Sequence, residues 1–379
     1  MEFSWTPEQA ERYERTLLAV REAFGPDTRD ASSTYSRKDW LGLGELGLLG
    51  LCVPEMYGGS GLGALDTAHQ VEALGRACAD TGLVFGASAH LFACAVPIVE
   101  FATEEVKRRV LPGMCAGRLI AGNAMTEEGA GSDVSRLSVT AHEVPGGYVL
   151  NGEKSFITNG PASDVFVTYA TTDPAAGHLG VTGFVVERGA PGLAVGEAFD
   201  KMGLTSVPAG GITFDDCFVP TEQLLGEPGM GGGIFQHSMG WERACLFAGY
   251  MGLFDRMIER CVAHARTRRQ FGKRIADFQA VANRIVEMKL RAESARMLLY
   301  RACWEMDQGR MSPLNIALSK LAVSEGAVAS ALDAIAVFGG RGYQTEHGIE
   351  ALLRDTVPST IFSGTSDIQR LLVAKELGL

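Results

Sequence analysis

The chain has 379 residues, 46% hydrophobic and 21% charged, with a formal net charge of −11. That length exceeds one packed core, so two or three subdomains are expected in an otherwise ordinary soluble globular protein. The acidic balance argues against a nucleic-acid partner, which needs a basic face, but leaves room for a local basic groove around a phosphate-bearing ligand.

Met1–Trp5 has no basic leader followed by an apolar stretch, and no apolar run is read as long enough to span a bilayer. A cytoplasmic protein without a membrane partner is therefore expected. Thr6-Pro7-Glu8-Gln9 offers an N-cap, a proline at the first helical position and a capping-box glutamine. Tyr13, Leu17, Val20 and Phe24 then recur at helical spacing. A Gly-rich break at residues 57–61 lacks a phosphate-loop lysine and reads as a surface turn. Helical character continues to about residue 120.

From 121 to 228 the period changes. Residues 147–152, 165–170 and 183–187 are short strand-like runs bounded by Gly, Pro, Asn and Asp, which suggests a small antiparallel β domain. From 229 to 379 the helical period returns. Trp241, Cys245, Ala248, Met251 and Ile258 mark one helix, and Val281, Ile285, Met288, Ala292, Ala295 and Leu299 the next. A third covers 312–338 and stops at Gly339-Gly340. Long helices with short connections pack as an antiparallel bundle. The eight cysteines are scattered without a C-x-x-C pair, so reduced, buried thiols are expected and no metal site.

Four segments carry the chemistry: AMTEEGAGSD at 124–133, NGEKSFITNG at 151–160, RRQFGKRI at 268–275 with Phe278-Gln279, and FGGRGY at 338–343 followed by IFSGTSDIQR at 361–370. In this order they resemble the acyl-CoA dehydrogenase family, and the likeness covers nearly the whole chain. It implies an α+β fold with an N-terminal helical domain (1–120), a middle antiparallel β domain (121–228) and a C-terminal four-helix bundle (229–379). It also implies FAD. A flavin needs an apolar wall on one ring face and donors along its pyrimidine edge. Thr126 and Thr158 offer hydroxyls, the backbone around Met125 offers N–H groups, and Phe156 offers the wall. The resemblance places Ser132 near the cofactor phosphates or the thioester arm. It places further cofactor contacts at Gln279, Gly340, Thr365 and Asp367. Arg268 is implied to reach the pyrophosphate of FAD in a neighbouring subunit, with Phe271 near the adenine, a role that suits a permanently charged, forked guanidinium. A homo-oligomer, dimer or tetramer, follows. Where many members carry a cofactor-contacting glutamine before Gly339, this chain reads Ala336-Val337-Phe338.

In most of the family a glutamate stands at the position of Ser363 and removes the substrate α-proton, a task a neutral serine does not perform near pH 7. The segment SMGWERAC at 238–245 resembles the isovaleryl branch, whose base glutamate precedes an arginine on the first bundle helix. Glu242-Arg243 matches it, which makes Glu242 the expected base, with Arg243, Ser363 and Ser132 toward the substrate. The Ser363 backbone N–H is implied to polarise the thioester carbonyl.

Two further words, LLYRACW at 298–304 with Asp307-Gln308-Gly309, and PSTIFSGT at 358–365, look like the dehydrogenases that oxidise prolyl groups on peptidyl carrier proteins in pyrrole-forming secondary metabolism. GALDTA at 63–68 and Ala89-His90-Leu91 fit the same group. The expected substrate is then an acyl thioester on a carrier protein, with electron-transfer flavoprotein or O2 as electron acceptor. The alternatives are a short branched-chain acyl-CoA dehydrogenase of the isovaleryl type and a flavin monooxygenase of the same fold.

Overall fold

The computed structural model describes residues 4–25 and 34–379; Met1 to Phe3, the start of the stretch read above for a leader, lie outside them. Thr6 Oγ1 accepts from the Gln9 N–H at 3.2 Å while Gln9 Oε1 accepts from the Thr6 N–H at 3.0 Å, closing the capping box that starts α1 (Pro7–Phe24). Then come α2 (Arg37–Glu45), α3 (Ala64–Ala77) and α4 (Thr81–Ala89). A π-helical turn, His90–Ala95, leads into α5 (Val96–Phe101) and α6 (Glu104–Cys115). Two helical stretches, Thr81–Phe101 and Pro313–Tyr343, are long and apolar enough to cross a membrane, contrary to the sequence expectation. The first has 89% of its apolar window buried inside the fold, so its composition serves the core.

The β region comprises β1 (Ala121–Ala124), β2 (Thr140–Val144), β3 (Gly147–Thr158), β4 (Val165–Thr171), β5 (Val181–Glu187), β6 (Leu193–Ala198), β7 (Ala209–Pro220) and β8 (Leu224–Leu225). They form one sheet in the order β6-β7-β3-β2-β4-β5-β8, with β1 paired to β4 off that path. Most pairs are antiparallel, but β1 lies parallel to β4, with Ala121 opposite Val165. Its chain arrives from α6, not through a hairpin, and only hairpin-linked neighbours are bound to be antiparallel.

The last region runs α7 (Gly231–Trp241), a second π-helical turn (Glu242–Leu246), α8 (Ala248–Thr267), the hairpin β9 (Arg269–Gln270) and β10 (Lys273–Arg274), α9 (Gln279–Asp307), α10 (Pro313–Phe338), α11 (Ile349–Thr356) and α12 (Ser366–Glu376). The helix expected from Trp241 to Ile258 is thus interrupted just where Glu242 stands. One apolar core joins the first helices to the last, running from Tyr13 and Trp40 through Phe247 and Met251 to Leu299 and Leu352. A second, with Met114, Val167 and Met239, joins α6, the sheet and α7, and a third fills the sheet's other face. The cysteines are free thiols, all buried but the half-buried Cys52.

The carrier-enzyme words meet physically. Asp307, at the end of α9, accepts from the Ala64 N–H at 2.6 Å and the Leu65 N–H at 3.0 Å, capping α3. A Cβ on Gly63 would stand 2.6 Å from Asp307 Oδ1, so any larger residue there would push the capping carboxylate aside. Asp307→Ala is expected to cost about 1 kcal/mol, the usual value of a lost N-terminal cap. Urea denaturation would register it as a lower midpoint at unchanged slope.

Candidate active site

Glu242 opens the π-helical turn between α7 and α8. Such turns insert one extra residue into a helix and swing the local side chains out of the α-helical phase. The carboxyl is buried, with 8% of the residue exposed, and Oε1 accepts a hydrogen bond from the Ser363 hydroxyl. The neighbouring side chain grips the same loop, Arg243 Nε donating to the Ser363 carbonyl at 2.8 Å. Gln369 Nε2, from α12, donates to the Gly364 carbonyl at 3.0 Å. Both loop residues are left-handed, Ser363 at φ +56° and Gly364 at φ +84°. For serine that is a strained conformation, held here by hydrogen bonds on both sides. Among the described residues the Ser363 N–H meets no acceptor.

Burial pushes the Glu242 carboxyl above the ordinary carboxylate range, while the Ser363 hydrogen bond and the Arg243 charge work against that shift. A second buried cation, Lys320 of α10, stands with its amine 5.6 Å above the Phe247 ring; burial, then Arg243, lowers it to about 8. Phe362 turns its ring into Phe85 at 4.5 Å and Phe247 at 5.5 Å, anchoring the residue before Ser363 in an aromatic cluster.

The other π-helical turn couples this carboxyl to the sheet. It packs on both the Glu242 turn and β1. His90 Nδ1 accepts from the Ala121 N–H at 3.0 Å, and Asn123 Nδ2 donates to the Ala93 carbonyl at 2.9 Å. Burial lowers His90 to about 4, so it is a neutral acceptor at pH 7. β1 then delivers Met125 and Thr126 beyond its end.

Across from them β3 carries a bulge between Lys154 and Ile157. The bulge, with φ +57° at Phe156, turns that ring outward to 57% exposure while Lys154 points into the core. Phe199, which sequence reasoning missed, lies beside it with ring centroids 5.6 Å apart. Thr158 ends the same strand, half-buried. Among the described residues the Thr126 N–H has no acceptor. An outward aromatic pair beside a free backbone donor fits the apolar face and polar edge of a flavin. Also missed were Glu127 and Lys154, a buried ion pair at 2.8 Å behind Met125. Both residues stood inside the segments 124–133 and 151–160 that carry the family likeness, but nothing in the sequence pairs them.

The remaining expected contacts separate into two groups. Thr365 and Asp367 start α12 beside Ser363, the Thr365 hydroxyl capping the Ile368 N–H at 3.2 Å and Asp367 fully in solvent. Ser132 is exposed in the loop after Thr126. Arg268, Phe271 and Gln279 are not brought to Glu242. They lie exposed beyond α8, a helix of 20 residues and hence about 30 Å long. Gly340 belongs with this distant group, since the adjacent Phe338 stacks on His264, near the end of α8, at 4.1 Å.

A helical layer, a sheet and a helical bundle meeting at a buried carboxyl define a class, and the sequence matches it over its length. Residues 6–118, 122–217 and 229–378 match the N-terminal, middle and C-terminal domains of acyl-CoA dehydrogenases. The chain belongs to the acyl-CoA dehydrogenase family. It is 54% identical over 380 residues to an L-prolyl-[peptidyl-carrier protein] dehydrogenase of Pseudomonas fluorescens, covering 100% of both chains. It is 45% identical over 381 residues to the protein of that name from a Serratia species, covering 100% of this chain and 99% of the other. Among solved structures, one described as PigA with FAD and proline superimposes with a TM-score of 0.96 at 45% identity, covering 100% of both chains.

The Ser363 hydroxyl favours the ionised Glu242. In Ser363→Ala the carboxyl is therefore expected to rise further, carrying the acid limb of kcat/KM to higher pH by about 1 unit, the worth of one hydrogen bond. A pH–rate profile of the two proteins checks this.

Proposed function

We propose that this chain is an FAD-dependent dehydrogenase that oxidises a prolyl group held as a thioester on a peptidyl carrier protein, with Glu242 as the base. The observation that carries it is the buried Glu242 carboxyl joined to Ser363, in a chain whose 54% and 45% identical relatives bear the name of that activity over their full lengths.

FAD, when bound, supplies the acceptor for the hydride that leaves the substrate β-carbon. Met125, Thr126 and Thr158 would hold its pyrimidine edge, and Phe156 with Phe199 would wall its ring. Glu242 takes the α-proton on its carboxylate, for which the raised affinity caused by burial is an advantage. The Ser363 hydroxyl orients the carboxylate before transfer. The free Ser363 N–H, fixed by the Arg243 and Gln369 contacts to its loop, suits the developing enolate oxygen. Aromatic Phe362 and its neighbours exclude water from the deprotonated base.

The placement of Arg268, Phe271 and Gln279 past the far end of α8, a helix about 30 Å long, supports the reading that these residues serve the cofactor of a second copy. Phe271 is 92% exposed at φ +49° on the hairpin tip, a costly way to display an aromatic ring unless a partner covers it.

Anaerobic mixing of the FAD-loaded protein with prolyl-carrier thioester and with short branched acyl-CoA tests substrate and base together. Bleaching of the flavin by the carrier thioester is expected, and bleaching by CoA esters alone would overturn the carrier reading. Glu242→Gln is expected to bind FAD normally and to bleach more than about 100-fold slower, the low end for loss of a general base.

A further inference from the structure

The Glu127–Lys154 pair lies outside the proton-transfer site and has no assigned role, yet it is the most deeply buried ion pair among the described residues. Lys154 is 0% and Glu127 4% exposed at the side chain. Its bonds are unusually complete. Glu127 Oε1 accepts from Lys154 Nζ at 2.8 Å and from the Val139 N–H at 3.1 Å. Oε2 accepts from the Ser138 N–H at 2.5 Å and from its hydroxyl at 2.6 Å. Lys154 Nζ has one more partner, the Met125 carbonyl at 2.9 Å.

That last bond matters because a peptide group is planar. The Met125 carbonyl and the Thr126 N–H belong to one rigid unit and point in opposite directions. Fixing the carbonyl on an ammonium inside the sheet domain aims the N–H outward. The next carbonyl is fixed too, Thr126 accepting from the Ser155 N–H at 2.8 Å. With both flanking carbonyls bound to β3, the Thr126 N–H is left as a free donor facing away from them. An ammonium on the carbonyl end also polarises the unit and strengthens that donor.

Such a pair is an expensive way merely to hold a loop. Buried ion pairs are often no more stabilising than apolar residues of similar volume, because desolvation cancels the attraction. What apolar residues do not supply is the orientation of one peptide. We propose that Glu127 and Lys154 are positioning residues for the cofactor: Lys154 orients the Met125–Thr126 peptide so that the Thr126 N–H is presented to the pyrimidine edge of the flavin, and Glu127 anchors Lys154. The inference rests on the FAD reading above and deepens it.

The test compares apoprotein from wild type, Lys154→Met, the double variant Glu127→Leu/Lys154→Met, and Lys154→Arg. FAD binding is titrated by quenching of flavin fluorescence, the visible spectrum is recorded at saturating FAD, and thermal midpoints are measured without FAD. Wild type that binds no FAD would overturn the cofactor reading itself. Given wild-type binding, the double variant is expected to keep a midpoint near wild type but bind FAD at least about tenfold more weakly, the loss of one well-made hydrogen bond. Its bound-flavin absorption is expected to shift, a change that simple loss of stability would not produce. Wild-type affinity and spectrum in a folded double variant would overturn the proposal. Should both Met-containing proteins fail to fold, Lys154→Arg decides, because its longer fork keeps the charge but displaces the carbonyl contact. Weakened FAD binding with a shifted spectrum supports the proposal, and unchanged binding overturns it.

Discussion

The hydrogen bond between Glu242 and Ser363 is where the architecture converges. It ties the first helix of the bundle to the loop before the last helix, across more than a hundred residues of chain. Every neighbouring feature is arranged around keeping a carboxyl in that buried place. Arg243 holds the loop by its carbonyl, Gln369 holds it from α12, and Phe362 anchors it in an aromatic cluster with Phe85 and Phe247. Desolvation raises the carboxyl above its ordinary range, and the Ser363 hydroxyl and the Arg243 guanidinium both act against that rise.

Two π-helical turns pack against each other at this point, and both serve placement. A regular helix through residues 241–258 would carry Glu242 in phase with the core residues that follow it. The extra residue in the turn breaks that phase, letting Glu242 and Arg243 address the C-terminal loop while Cys245, Phe247 and Met251 stay buried. The second turn does the same between α4 and α5, where His90 and Ala93 bind the backbone and side chain of β1. Glu242 and the sheet edge are thereby registered through one short element, not through the loops between the helical and β regions.

Local signals in the sequence carried far. The capping box at Thr6, the periods of α9 and α10, the glycine stop at Gly339 and the strand-like runs around Tyr148, Phe166 and Phe184 all correspond to elements that form. Glu242 stood out because Ser363 lacked a carboxylate and an acid beside an arginine offered one. What stayed hidden depends on single-residue geometry or distant pairing. The π turns leave the hydrophobic stripe nearly continuous, so periodicity passes over them. The bulge that turns Phe156 outward is one residue in a twelve-residue strand. The parallel β1–β4 pair and the Glu127–Lys154 pair join residues that no local pattern relates. The apolar run of α4 and α5 escaped notice because its small residues, Gly82, Gly86, Ala87 and Ala89, mask its length.

Carboxylates at 242 and at 363 exclude one another on physical grounds. With Glu242 in place, a second carboxylate at 363 would sit where the hydroxyl now donates, and two carboxylates at hydrogen-bond distance do not both ionise near pH 7. The residue at 363 must therefore be a neutral donor, short enough to leave the substrate room and able to hold φ +56°. Serine meets these conditions. It supplies the donor, its single rotor fits under the Glu242 carboxyl, and the loop bonds from Arg243 and Gln369 offset its strain. The same argument runs backward to Arg243. An arginine that binds the loop carbonyl leaves the side chain at 363 to donate to Glu242, and so is compatible with a neutral residue there. Serine at 363 is thus the counterpart of an acid on the helix: its side chain donates to Glu242, and its backbone N–H has no acceptor among the described residues.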